Sequence, residues 1–256
     1  MTASYKFKFN PTLSEMFKGI IWRVETDDHN TIVAIESRDV SNRTTYFSAF
    51  DYVSGEAFFK EITVQEGWFW SLDRVHSGMI YVHSYVNEGS PEHKGIIALN
   101  SSGEIAWQHF HKTLHEISDS GLIVYNPKIQ PKIFELISAE TGEVLSTKIS
   151  RDTPLQRDIV IPEILEDSRQ FSHLLPGNTY GPVFYLEINR KIILAFHTQK
   201  ENFYTQQLAV YQDGTPLMQD ILAADIQKLN PEAFFIQHNH LFYIRGNKQE
   251  FVSYLV

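Results

Sequence analysis

Apolar and polar residues alternate in short runs along most of this chain, and few runs follow a helical period. Tyr5-Lys-Phe-Lys-Phe9 would place Tyr5, Phe7 and Phe9 on one face of a strand and Lys6 and Lys8 on the other, which predicts a half-buried strand. Further strands are predicted at residues 19–25, 31–36, 46–50 and 57–64, rich in Ile, Val, Phe, Tyr and Thr with short polar gaps between them. Gaps this short favour hairpins over crossover helices. Two stretches read differently: Pro162 to Phe171 as a short helix with proline at its first position, and Met218 to Leu229 as an amphipathic helix competing with a strand.

Four segments share one layout, an apolar strand, a polar turn ending in glycine, and a second apolar strand: residues 46–62, 95–110, 132–149 and 207–222. Their turn glycines, Gly55, Gly103, Gly142 and Gly214, are 48, 39 and 72 residues apart. The first two spacings fit the roughly 40 to 50 residues of a four-stranded propeller blade. The third is lengthened by a polar, proline-containing stretch at about 150–178, read as an insertion. Turns such as Ala139-Glu-Thr-Gly-Glu143 and Ser101-Ser-Gly-Glu104, the latter with Trp107 just downstream, resemble the blade repeat of quinoprotein-type β-propellers. In that family the motif joins the outer strands of a blade and the tryptophan packs between blades, so the resemblance implies architecture and no cofactor. The whole chain also resembles small bacterial proteins known only as domains of unknown function.

The expectation is an all-β protein, one β-propeller domain over residues 1–256, with about five blades of mostly four antiparallel strands. The last blade, residues 232–256, is a strand short. Pairing of residues 5–9 with residues 251–255 would complete it and close the ring without a free edge.

Composition narrows the functional classes. A net charge of -9 with no Lys/Arg cluster disfavours nucleic acid and anionic membrane surfaces. No apolar run reaches the roughly 18 residues of a membrane span, and Met1 to Glu25 shows no secretory signal. The chain has no cysteine, which excludes disulfides, thiolate metal sites and a cysteine nucleophile, and agrees with a reducing compartment. A cytoplasmic protein is expected.

No phosphate loop, His-Glu-x-x-His helix or Gly-x-Ser-x-Gly elbow is present. His109-x-His111-x3-His115 and His238-Asn-His240 are the histidine clusters. No regular element brings all three of the first together, so no metal site is assigned, and His109 and His111 are the nearest approach to one. Asp27, Asp73 and Glu187, near predicted strand ends, are the candidate catalytic carboxylates; Asp28 and Asp51 also lie at such ends, and Asx turns explain Asp27, Asp28 and Asp51 equally well. Trp68-Phe-Trp70 with Arg74 and His76 is the densest aromatic and polar stretch. As a strand it would turn Trp68 and Trp70 the same way, and these four residues are the candidate ligand contacts. The reading that follows is a non-catalytic binding or scaffold protein without a cofactor, whose loops hold an unknown protein or a small polar ligand. The alternative is a hydrolase acting on a sugar or other small polar substrate with carboxylates from several blades.

Overall fold

The computed structural model describes residues 10–65, 67–87, 89–147 and 157–256. Their regular structure is antiparallel strand apart from two single 3-10 turns, Gly67–Phe69 and Arg169–Phe171. After β1 (Leu13–Met16), strands β2 (Ile20–Thr26), β3 (Ile32–Asp39), β4 (Thr44–Asp51) and β5 (Ala57–Ile62) form a sheet in chain order. A second sheet is built from β6 (Trp70–His76), β7 (Met79–Tyr85), β8 (His93–Leu99) and β9 (Ile105–His109). The third comprises β10 (Thr113–Ser118), β11 (Gly121–Tyr125), β12 (Phe134–Ile137) and β13 (Val144–Ser146). Two short strands follow, β14 (Ile159–Val160) and β15 (Glu163–Leu165). β15 edges the fourth sheet, continued by β16 (Thr179–Ile188), β17 (Lys191–Lys200), β18 (Phe203–Gln212) and β19 (Thr215–Ile226). In the fifth, β20 (Phe234–Gln237), β21 (His240–Arg245) and β22 (Glu250–Leu255) lie between β14 on one edge and β1 on the other.

The chain divides into two compact units, one of residues 17–157 with the first three sheets, the other of residues 1–16 and 158–256 with the last two. In the first unit the middle strands are buried on both faces. Ile80 and Val82 of β7 join Ala34, Phe47, Ala49 and Leu72 in one core, while Met79 and Tyr81 of the same strand join Trp107, Leu122, Val124 and Ile137 in another. Period-two alternation therefore sends each half of β7 to a different neighbour, and both halves must be apolar.

Each of the four sequence repeats forms the last hairpin of its sheet, and all four turn glycines have φ between 71° and 78°. Gly142 shows why the third turn needs one: a Cβ there would lie 2.7 Å from the Trp107 indole. That indole also donates to the Ala139 carbonyl at 3.0 Å, so Trp107 of the second sheet packs on the turn of the third.

In the second unit, Ile193 and Ala195 of β17 pack with Leu208, Phe234, Leu241 and Tyr243, and Leu194 and Phe196 with Phe171 and Val183 on the opposite face. Both helix readings are overturned here. Within 162–171, Glu163–Leu165 is an edge strand paired with Val183–Tyr185, and only Arg169–Phe171 turns, delivering Phe171 to the core. Met218 to Ile226 belongs to β19, where three register shifts against β18 break the alternation. Burial of Leu217, Met218 and Leu222 on a bulged strand imitates a helical spacing.

β1 pairs with β22, Leu13 opposite Ser253, whereas residues 5–9 lie outside the described residues. Among the described residues no helix is long and apolar enough to cross a membrane.

Candidate functional site

β3 is apolar from Ile32 to Ile35 and then buries Glu36, Ser37 and Arg38. A carboxylate taken out of water must be paired and hydrogen-bonded, and Glu36 is both. Fully buried, it accepts from Arg38 Nε at 2.6 Å, Ser71 Oγ at 2.7 Å and the Leu72 amide at 2.8 Å, tying the first sheet to the second. The pairing holds the Arg38 guanidinium over two indoles, its central carbon 5.0 Å from the Trp22 ring and 5.4 Å from the Trp68 ring. Arg43 also lies over the Trp68 ring, 5.2 Å from its centre. Such contacts contribute about 0.5 to 2 kcal/mol each, more as water is excluded.

These four side chains line a cleft of about 490 Å³ with Phe69, Tyr85, Asn87 and Pro91. Trp22, at 62% exposure, is far more open than a tryptophan in a core. Arg38 Nη2 is covered and has no hydrogen-bond partner among the described residues. Two cations against aromatic rings, on a protein of net charge -9, form a local site for negative charge and a ring face.

The sequence candidates divide around this cleft. Trp68 lies on it, but not as a strand partner of Trp70: the 3-10 turn Gly67–Phe69 intervenes, and Trp70, at 5% exposure, is core. Arg74, on β6, pairs with Glu25 at 3.3 Å, and Glu25 also engages Arg23 and Arg157, both at 3.0 Å. Asp27, fully buried, accepts from the amides of His29, Asn30 and Gly78, an Asx arrangement that links the β2–β3 loop to the β6–β7 turn. Asp51 does the same for its own turn, accepting from Val53 and Ser54. Burial pushes the Asp28 carboxyl up, opposed by the Arg157 guanidinium. His76 is buried 5.6 Å from His29, and burial holds its imidazole below the usual range.

Glu187 belongs to the second unit, exposed and accepting from the Tyr185 hydroxyl at 3.0 Å. His109 Nε2 lies 2.8 Å from the Gly142 carbonyl, its ring 5.8 Å from that of His111, while His115 packs on Phe134. His238 and Asn239 occupy a turn with positive φ, so His238 and His240 are not a pair on one strand face.

Asp73 sits against a residue the sequence reading passed over. Its Oδ2 is 3.2 Å from Nδ1 of His83, a fully buried imidazole stacked on His93 with ring centres 3.5 Å apart. Burial would raise the Asp73 carboxyl, but His83, Arg23 and Arg74 together hold it below the ordinary range. Asp73, His83 and His93 come from three consecutive strands at equal spacing, and that spacing on a meander was the signal available in the sequence. For Arg38 it was an acid and a base two residues apart closing an apolar run.

Residues 26–107, about a third of the chain, match the model of a domain of unknown function (DUF4905). The stretch holds the cleft apart from Trp22, together with Asp73, His83 and His93. No curated protein matches the chain. Among solved structures it is similar to Raptor of Chaetomium thermophilum, at 9% identity and a TM-score of 0.40, covering 96% of this chain and 29% of that one. A member of the DUF4221 family from Bacteroides vulgatus is similar at 8% identity and a TM-score of 0.35, covering 95% of both chains. The β-propeller domain of the Trilobed protease from Pyrococcus furiosus shares 10% identity at a TM-score of 0.32, over 92% of this chain and 65% of that one.

Proposed function

We propose that this chain is a non-catalytic binding protein that holds a small anionic ligand presenting a ring face in the cleft of Trp22, Arg38, Arg43 and Trp68. The observation that carries the reading is the Arg38 guanidinium, fixed by buried Glu36 and in contact with the rings of two tryptophans on a cleft of ligand size. Uronic acids, aromatic carboxylates and nucleotides share the chemistry the cleft offers, a negative group for the guanidinium and a face for the indoles.

The scaffold in this reading is a single five-bladed propeller in the cytoplasm, with residues of about 150–178 inserted in it. Five consecutive antiparallel sheets and the pairing of β1 with β22 support it, since a first strand completing the last blade is how such rings close.

A thermal-shift screen of the purified chain against those three ligand classes and neutral sugars tests the site. A ligand at a hundred times its Kd stabilises by about 2.7 kcal/mol, or roughly 5 to 10 °C for a domain of this size. Anionic ring compounds should shift the melting temperature, and Trp22→Ala should remove the shift while lowering the unliganded value by only about 1 to 4 °C. Hits confined to neutral sugars, or turnover of any hit, would contradict it.

A further inference from the structure

We infer that Asp73, His83 and His93 form a binding site for a divalent transition-metal ion of the zinc type. The second sheet is built to bring them together. β6 carries a bulge between Leu72 and Arg74, so that Asp73 is the extra residue opposite β7. β8 carries another where β7 passes from His83 to Ser84, taken up by Gly95 with φ of 72°. Bulges re-aim side chains, and these two flank the strand bearing His83. One donor atom from each of the three residues lies within 4.8 Å of the others.

The distances suit a shared ion. Two donors bound at about 2.0 to 2.2 Å to a near-tetrahedral centre lie roughly 3.3 to 3.5 Å apart. The His83 Nδ1 and Asp73 Oδ2 atoms are 3.2 Å apart. His93 is half-buried, and one of its ring nitrogens lies within 4.8 Å of the other two donor atoms. Two imidazoles and one carboxylate are the donor set of open zinc sites, leaving a fourth position for water or a ligand.

A second observation points to the same place. His83 is wholly buried, yet its Nδ1, the ring nitrogen that faces Asp73, has no hydrogen-bond partner among the described residues. A buried polar atom left so is costly, and a water or ion is the ordinary remedy. Two stacked imidazoles 3.5 Å apart cannot both carry charge without repulsion, and neutral imidazole is the form that binds metal. Arg23 and Arg74 are the opposing charges, but both donate to the backbone carbonyl of Asp73 and pair with Glu25, leaving the carboxylate to the imidazole.

The test is calorimetric titration of the full chain with Zn²⁺, and with Co²⁺ followed by its visible absorption, alongside the Asp73→Asn and His93→Ala variants. Both substitutions are at partly exposed positions; His83→Gln, at a buried one, is included only if its circular dichroism matches the wild type. The inference predicts one ion per chain and affinity reduced at least tenfold in Asp73→Asn and His93→Ala. A His109→Ala/His111→Ala control should bind as the wild type does. Absence of stoichiometric binding would overturn it, as would binding that survives both variants or depends on His109 and His111.

Discussion

Arg38 in the first unit and Arg245 in the second are both strand arginines beside a glutamate, and their surroundings set them apart. Arg245 reaches two carboxylates, Asp220 and Glu250, the latter by two bonds at 2.9 and 2.7 Å. The carboxylates are bonded in turn by the Tyr243 hydroxyl at 2.6 Å and Ser14 Oγ at 2.7 Å. That network is closed, and its effect is to join β1, β19, β21 and β22. Arg38 has a single carboxylate on Nε, a covered Nη2 with no partner among the described residues, and indoles where a second acid would stand. A structural arginine is recognised by its completed partners, whereas one held ready for a ligand keeps capacity in reserve.

The comparison breaks most sharply at Glu36. Glu36→Ala leaves the Arg38 charge buried without its partner and should cost about 3 to 5 kcal/mol. Denaturant unfolding would show this, with a fall in melting temperature of roughly 10 °C. Replacing both, Glu36→Leu with Arg38→Met, should restore only part of that stability, because the uncompensated charge is gone but the Ser71 hydroxyl and the Leu72 amide lose their buried acceptor, and should leave the cleft unable to hold an anion. Recovery of ligand binding in that double variant would place the site elsewhere.

Arg245→Ala should cost about 2 kcal/mol, the loss of charge-assisted bonds that are partly exposed, with ligand affinity unchanged. A matched loss of binding would erase the distinction between the two arginines.

Acid should act on the Arg245 network in a definite direction. The bonds from Arg245 hold the Glu250 carboxyl below its ordinary value of 4.5, so its contribution is complete above that pH and is lost as pH falls through the lower folded value. Glu250→Gln should remove this part of the acid dependence of the melting temperature. The smallest expected effect on stability is that of Trp22→Ala, about 0.5 to 1 kcal/mol, the loss of one cation–π contact from a side chain that is 62% exposed.

How much of this the sequence discloses differs by element. Hairpins with glycine turns are local, so residues 46–62, 95–110, 132–149 and 207–222 were legible from alternation and turn chemistry. Irregular strands were not: β19 hides its alternation behind register shifts, and the turn at Gly67–Phe69 separates Trp68 from Trp70. Trp68 and Asp73 stood out as residues, but their partners Trp22, Arg38 and His83 are 46, 30 and 10 positions away. Sequence supplies residue types, and strand pairing supplies the convergence.

Titrating the intrinsic fluorescence of the wild type and of Arg38→Met with the anionic ring compound that best shifts the melting temperature tests the central claim most directly. Trp22 and Trp68 line the cleft while Trp70 and Trp107 are buried, so a ligand there must perturb the signal. The account predicts a saturable change in the wild type and affinity weakened at least tenfold in Arg38→Met, consistent with loss of about 1.5 to 3 kcal/mol from a charged contact. Equal affinity in the two proteins would contradict it.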